Sequence, residues 1–246
     1  MKAGRERVDV LLVERGIAPS RAKAQALVLA GQVVVAEQRV DKPGAQVPVD
    51  ADIRLKGEVL PYVSRGGLKL KAALDAFGLQ VAGEVCADIG ASTGGFTDCL
   101  LQEGATRVYA VDVGRAQLHE KLRQDARVVS REQVNARALT DEQLPRPVGV
   151  VVIDVSFISL RLVLPSVLPR LRGGGLLVAL VKPQFEVGRG KVGKGGVVRD
   201  AEARAEAIAG IREFVEGAGM AVLGVMDSPV PGPAGNVEAL LAARKR

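Results

Sequence analysis

Histidine occurs once, cysteine twice and tryptophan not at all in the 246 residues, and aromatic side chains make up only 3% of the chain. Each scarcity excludes something. Cys86 and Cys99 lack metal-site spacing and have no further cysteine partners, and His119 stands alone. No metal site is therefore expected; the cysteines are assigned to the core and His119 to the surface. With so few aromatics, a platform that stacks successive unpaired bases is not expected either. No apolar run reaches the roughly 18 residues that a bilayer-spanning helix requires, so no membrane partner is expected. The first residues, MKAGRERVDVLL, mix both charge signs without a small-residue cleavage site. No secretory signal is read there, and the expected location is cytoplasmic.

What is present points to a mixed α/β protein with a sizeable core. Hydrophobic residues make up 48%, charged residues 25%, and there are 29 glycines. The formal charge is +6 with a pI near 9.5, which favours an anionic partner. Residues 1–83 hold 13 basic and 9 acidic side chains, while the remaining 163 residues hold 21 and 19. The N-terminal third is thus the more basic part per residue.

That third reads as helix, turn, helix and short strands. Ser20 is a suitable N-cap for a helix running through Ala24, Leu27 and Val28, and Gly31 suits its C-terminal stop. QVVVAEQRV then alternates as a strand pair, and Lys42–Gly44 is a turn. Arg15, Arg21 and Lys23 lie around the helix junction; composition alone favours a solvated basic face there. The whole pattern, L-x-x-x-G-x-x-x-S-R-x-x-A followed by G-x-V-x-V and K-P-G, resembles the S-four-type RNA-binding module over residues 6–55. Ala36-Glu37 stands where that family has Asn-Gly in its hairpin. The resemblance implies that the helix pair and its basic residues, Arg15, Arg21 and Lys23, dock on structured RNA. Residues 1–58 are read as this domain, 59–64 as a linker, and 65–246 as a second domain.

The second domain opens with EVCADIGASTGGFTDCLLQEGA: an apolar strand, a Gly/Ser/Thr loop, and a helix beginning near Gly95. Such a loop brings backbone close to a ligand and aims helix amides at its anionic part. Gly90, Gly94 and Gly95 do not have the G-x-G-x-x-G spacing of a pyrophosphate loop. Asp88 directly precedes the loop, and RVYAVDVG supplies a second strand ending in Asp112, placed to accept two ribose hydroxyls. Together these suit S-adenosylmethionine better than a dinucleotide, with Asp88, Gly90, Ser92, Gly94, Gly95, Phe96 and Asp112 as the candidate cofactor residues. Glu132 and Asn135, after a third strand ARVVS, are candidates to face the adenine. GRGKVGKGG (188–196) nearly forms a phosphate loop, but Gly195 stands where Ser or Thr would hold Mg²⁺. Arg189, Lys191, Lys194 and Arg199 there either contact RNA phosphates or form an ordinary solvated loop.

Two further apolar strands end in charge: VGVVVIDVSFISL at Asp154 and GGGLLVALVK at Lys182, which Pro183 follows at once. In a doubly wound parallel sheet the strand ends share one rim. With the first, fourth and fifth strands adjacent, Asp88, Asp154 and Lys182 meet there. A last, antiparallel strand from AVLGVMDSPVPGPAGNVEALL would bring Glu238 to face Lys182. Lys69, near the start of the helix in SRGGLKLKAALDAFGL, could reach the rim from above; Leu68, Ala72, Leu74 and Phe77 are its expected buried positions. Two lysines and two acids suit removal of a proton from a sugar hydroxyl, provided one lysine is shifted from its ordinary value of about 10.4 towards neutrality.

SRGGLKL, DIGASTGGFTD, DVSFISL, LVKPQFE and GPAGNVEALL, in this order, resemble the TlyA family over nearly the whole chain. The resemblance implies an S-four-type module joined to a Rossmann-like, FtsJ-like methyltransferase that uses S-adenosylmethionine to methylate ribose 2′-hydroxyls of ribosomal RNA, commonly on cytidine, in ribosomes or their subunits. It implies a tetrad of Lys69, Asp154, Lys182 and Glu238, with Lys182 as base, Asp154 and Lys69 tuning it and Glu238 completing the network. Arg65 of SRGGLKL joins Arg189, Lys191 and Lys194 as a candidate RNA contact. No Asn-Pro-Pro-Tyr or Pro-Cys motif supports base methylation. Since some family members carry the label haemolysin, a membrane-active protein is an alternative; an RNA-binding protein with an inactive methyltransferase domain is another. The oligomeric state is not encoded in any motif.

Overall fold

The computed structural model describes all residues except 1–3, 37, 52, 57–59, 146, 189, 194 and 233, and the side chain of Arg54. The chain divides into two compact units, Met1–Leu60 and Pro61–Arg246.

In the smaller unit, helices Val8–Glu14 and Arg21–Leu29 cover short strands. Val33–Val35 pairs antiparallel with Gln38–Val40 and Ile53–Leu55, and Arg5–Arg7 pairs with Gln46–Pro48. Ser20 Oγ accepts the Lys23 amide as N-cap, and Gly31, at φ +67°, turns the chain out of the helix. In the first turn of the first helix Asp9 is fully buried. It accepts two hydrogen bonds from the Arg7 guanidinium (2.9 Å each), one from Gln25 (2.9 Å) and one from Arg21 (3.2 Å). The Arg7 hydrogen bond, helped by Gln25 and Arg21, holds this carboxyl well below the usual carboxylate range.

In the larger unit, β1 (Val85–Ile89), β2 (Arg107–Val111), β3 (Val128–Arg131), β4 (Val148–Ile153), β5 (Leu171–Val181), β6 (Met220–Asp227) and β7 (Ala239–Lys245) form one sheet in the order 3-2-1-4-5-7-6. Strands β1 to β5 run parallel, and only β7 runs against its neighbours. The last segment thus makes two strands where the sequence reading expects one. Asp227 ends the first of them, and the chain returns to start the second at Ala239, with the Gly232 amide donating to the Asn236 carbonyl between them.

Parallel strands covered on both faces read as continuous apolar runs, and VGVVVI is buried throughout. Val150, Val152, Val178 and Leu180 face one layer, with α1 (Gly66–Ala76) and α2 (Gly95–Gln102). Val151, Ile153, Leu177 and Ala179 face the other, with α4 (Leu160–Val167) and α6 (Ala201–Gly217). The short α3 (Glu120–Arg123) and α5 (Pro183–Glu186) lie at strand ends. Helix α1 buries Leu70, Ala73 and Leu74, while Leu68, Ala72 and Phe77, expected as buried positions, are half-buried. Tyr62, in the stretch read as a linker, belongs to the core of this unit. Among the described residues, no helix is long and apolar enough to cross a membrane.

Replacing Asp9 by Ala strands the half-buried donors of Arg7 and Gln25, and is expected to destabilise the smaller unit by about 1–3 kcal/mol. Since its carboxyl lies below the unfolded value, its contribution is present above about pH 4 and lost as pH falls further. Amide exchange of residues 8–29 as a function of pH, in wild type and D9A, measures both effects.

Candidate active site

All four charged residues expected at the rim line one cavity of about 300 Å³, together with Arg65, Asp88, Gly90, Ser92, Gly95 and Phe96. The register explains this. Asp88 lies opposite Val152 and Ile89 opposite Ile153, so Asp154 emerges just beyond β1; Ala179 lies opposite Ile153, which carries Lys182 out beside it.

The charges form two pairs. Lys182 Nζ lies 2.6 Å from Asp154 Oδ1. This is a charge contact outside hydrogen-bond geometry, and Oδ1 has no hydrogen-bond partner. The ammonium's hydrogen bond goes instead to Ser156 Oγ (2.8 Å). The second pair joins Lys69 Nζ to Glu238 Oε2 at 2.5 Å, with both side chains buried. Here the structure departs from the expectation that Glu238 faces Lys182. Ala239 is indeed opposite Val181, but Glu238 lies just before β7, where its carboxylate meets Lys69 of α1. Gly232 allows the return turn to close over it, since a Cβ there would come within 2.6 Å of Glu238 Oε1.

The glycine loop shapes the neighbouring crevice. Gly90 has φ +84°, and a Cβ on it would sit 2.5 Å from the Asp154 carbonyl oxygen, so only glycine lets β1 and β4 end this close. Gly95 starts α2 against Ser64 and the backbone of Gly66. Gly94, at φ +93°, turns towards Leu118 and Leu122 and lines neither cavity. A second cavity of about 490 Å³ shares Gly90, Ser92, Asp154 and Ser156 with the first and contains Asp112 and Asn135. Asp112 accepts the amides of Ser92 (2.8 Å) and Gly114 (2.7 Å), which fixes its carboxylate at the wall. Glu132 does not line it; its carboxylate accepts the Ala116 amide (2.6 Å) and braces the adjoining loop.

Asp88 is fully buried. Its Oδ2 accepts from Thr97 Oγ1 (2.7 Å) and its Oδ1 has no partner. Burial pushes this carboxyl up to about 7, against the Thr97 hydrogen bond, and Asp154 adds to the rise.

The basic residues are scattered. In the smaller unit the Arg15 guanidinium donates to the carbonyls of Ala51 (2.6 Å) and Val49 (2.5 Å), Arg21 serves Asp9, and Lys23 is exposed without a side-chain partner among the described residues. In the larger unit Lys191 pairs with Glu206, Arg199 is exposed, and Arg189 and Lys194 lie outside the described residues. Ser64, Thr97, Ser156 and Glu186 belong to quoted motifs but draw no attention as sequence, because uncharged or distant side chains acquire a role only through the partners the fold gives them.

In the folded, ligand-free protein Asp88 holds its proton to higher pH than in the unfolded chain, so its contribution to stability declines as pH rises from about 4 to about 7. D88N is expected to flatten that decline by a few kcal/mol at most, as read by urea unfolding across the range.

Residues 62–245 match the FtsJ-like methyltransferase family and residues 6–53 the S4 domain. The chain is 46% identical over 243 residues to a Mycobacterium tuberculosis protein named 16S/23S rRNA (cytidine-2'-O)-methyltransferase TlyA, covering 98% of this chain and 91% of that one. It is 41% identical over 235 residues to Hemolysin A of Brachyspira hyodysenteriae, covering 95% and 98%. A solved structure of a Streptococcus thermophilus protein described as a hemolysin superposes with a TM-score of 0.76 at 47% identity, over 99% of this chain and 89% of that one. With both domains in order and relatives matched along nearly the full length, the chain belongs to the TlyA family, an S4 domain followed by an FtsJ-like methyltransferase domain.

Proposed function

We propose that the protein methylates the ribose 2′-hydroxyl of cytidine in ribosomal RNA, using S-adenosylmethionine. The observation that carries this reading is the placement of Lys182, between Asp154 and Ser156, in a cavity that runs on into the glycine loop and Asp112. The name of the Mycobacterium tuberculosis relative supports the choice of cytidine and of ribosomal RNA.

The residues present fit the cofactor. Asp112, held by two amides, keeps lone pairs for the two ribose hydroxyls. The unpartnered Oδ1 of Asp88 is suited to a cationic amino group, and Asn135 offers an amide on the adenosine side. The combined crevice is of the size that holds a molecule of this class. When bound, S-adenosylmethionine supplies an electrophilic methyl group on a sulphonium.

Lys182 is assigned as proton acceptor from the 2′-hydroxyl. Asp154 lies close enough to stabilise the ammonium that forms, and Ser156 fixes the direction of Nζ. Lys69 and Glu238 neutralise each other in the wall, so Lys69 does not compete for Asp154 nor Glu238 for Lys182. Arg65, exposed at the mouth, and Lys191, Lys194 and Arg189 are assigned to RNA phosphates, as are Arg15, Arg21 and Lys23 in the smaller unit. The internal bonds of Arg15 and Arg21 orient their guanidiniums and leave further donors on each.

K182A is expected to lose methyl transfer from labelled S-adenosylmethionine to ribosomal subunits by about 100-fold or more, the scale of a general base, while cofactor affinity measured by calorimetry stays unchanged. Wild-type turnover in this variant rejects Lys182 as base. A chain lacking residues 1–58 is expected to bind ribosomal RNA more weakly, with a shallower salt dependence, at unchanged cofactor affinity. Equal RNA affinity in the two chains refutes the division of labour.

A further inference from the structure

Lys182 and Glu186 flank the short helix α5, and both reach back to the loop between β4 and α4. At one end stands the Lys182 ammonium with Asp154 and Ser156. At the other, Glu186 Oε2 accepts Ser159 Oγ (2.6 Å) and Oε1 accepts the Leu160 amide (2.8 Å). Between them the rings of Phe185 and Phe157 lie 5.3 Å apart, tilted by 50°. The loop from Asp154 to Leu160 is thus fastened to α5 at three points.

The loop needs fastening. Phe157 has φ +63°, a left-handed conformation that is strained for a bulky residue and persists only when surroundings impose it. Core burial does not impose it, because Phe157 is 90% exposed. Nor is Glu186 required merely to start α4. That helix already has an N-cap in Ser159, whose Oγ accepts the Arg161 amide (3.2 Å). Glu186 is a half-buried carboxylate spent on the same few donors, and burial raises its carboxyl above the ordinary value against the pull of Ser159 and Leu160. Its two bonds also join the start of α4 to the end of α5, the segment that follows Lys182.

We infer that Glu186 is a positioning residue for the transfer reaction: it holds the Asp154–Ser159 loop against α5, and so keeps Asp154 and Ser156 placed about the Lys182 ammonium. The inference rests on the proposed reading of Lys182 as proton acceptor. A displacement of the order of 1 Å in such a constellation slows transfer by about 100-fold without touching the substrate contacts.

The test compares wild type, E186A, E186Q, S159A and the E186A/S159A double variant in methyl transfer to ribosomal subunits, cofactor binding and amide exchange. E186A is expected to lower kcat by about 10- to 100-fold, leaving KM for RNA and cofactor affinity within about twofold. E186Q, which keeps one acceptor oxygen, is expected to recover part of the loss. The double variant is expected to be no slower than E186A, since both changes break one clasp. Amides 155–160 are expected to exchange faster in E186A, and amides 90–96 at the wild-type rate. Wild-type kcat in folded E186A, or a parallel loss of cofactor affinity, overturns the inference; if E186A does not fold, E186Q decides by the same measures. If wild type itself transfers no methyl group, the methyltransferase reading fails, and exchange alone decides on the clasp: unchanged exchange at 155–160 refutes it.

Discussion

Lys182 follows seven consecutive buried residues, Gly175–Val181, and its own side chain is only 11% exposed. An ammonium at the end of such a strand is costly unless a carboxylate meets it. The strand order supplies one. β4 and β5 are parallel neighbours, so whatever ends β4 stands beside whatever ends β5, and Asp154 and Lys182 are those residues. Pro183 then stops the strand and starts α5, which prevents the lysine from being drawn further into the sheet. The sheet, the break after β5 and the charge contact depend on one another.

The other carboxylates are kept from interfering. Glu238 directly precedes Ala239, which pairs with Val181, so it comes close enough in the chain to have been a rival partner for Lys182. Its capture by Lys69 leaves Asp154 as the one acid in charge contact with the Lys182 ammonium among the described residues. The short charge contact with Asp154 and the hydrogen bond to the Ser156 hydroxyl together fix where Nζ stands at the end of β5. The same economy appears at Gly90, where the absence of a side chain lets the cofactor loop and the Asp154 backbone approach.

Much of this was legible in the sequence. Apolar runs ending in Asp88, Asp154 and Lys182 identify parallel strands and their rim, and the glycine loop with Asp112 identifies the crevice beside it. The failures have physical causes. A strand run such as MAVLGVMD, half-buried at a sheet edge and apolar almost throughout, carries weak periodicity, so sequence alone does not separate β6 from β7. The partner of Glu238 depends on how α1 lies over the sheet, which no local pattern encodes. Gly94 reads as a ligand-contacting glycine, whereas its positive φ and the leucines beneath it account for its identity. Arg15 and Arg21 read as free charges because their acceptors, two carbonyls near residue 50 and a buried aspartate, are distant or hidden in sequence.

The two units use buried acids in opposite ways, and the contrast separates scaffold from site. Asp9 is buried with both oxygens accepting hydrogen bonds, its carboxyl is depressed, and it knits the helix pair together. Asp88 is buried with one oxygen unpartnered, and its carboxyl is pushed up to about 7. Folding alone would favour Asn or an apolar residue there, since the charged form is unstable without a partner. At Asp9 the side chain is spent wholly on the fold, whereas the unsatisfied oxygen of Asp88, at the wall of a crevice, matches the cationic group proposed to bind there.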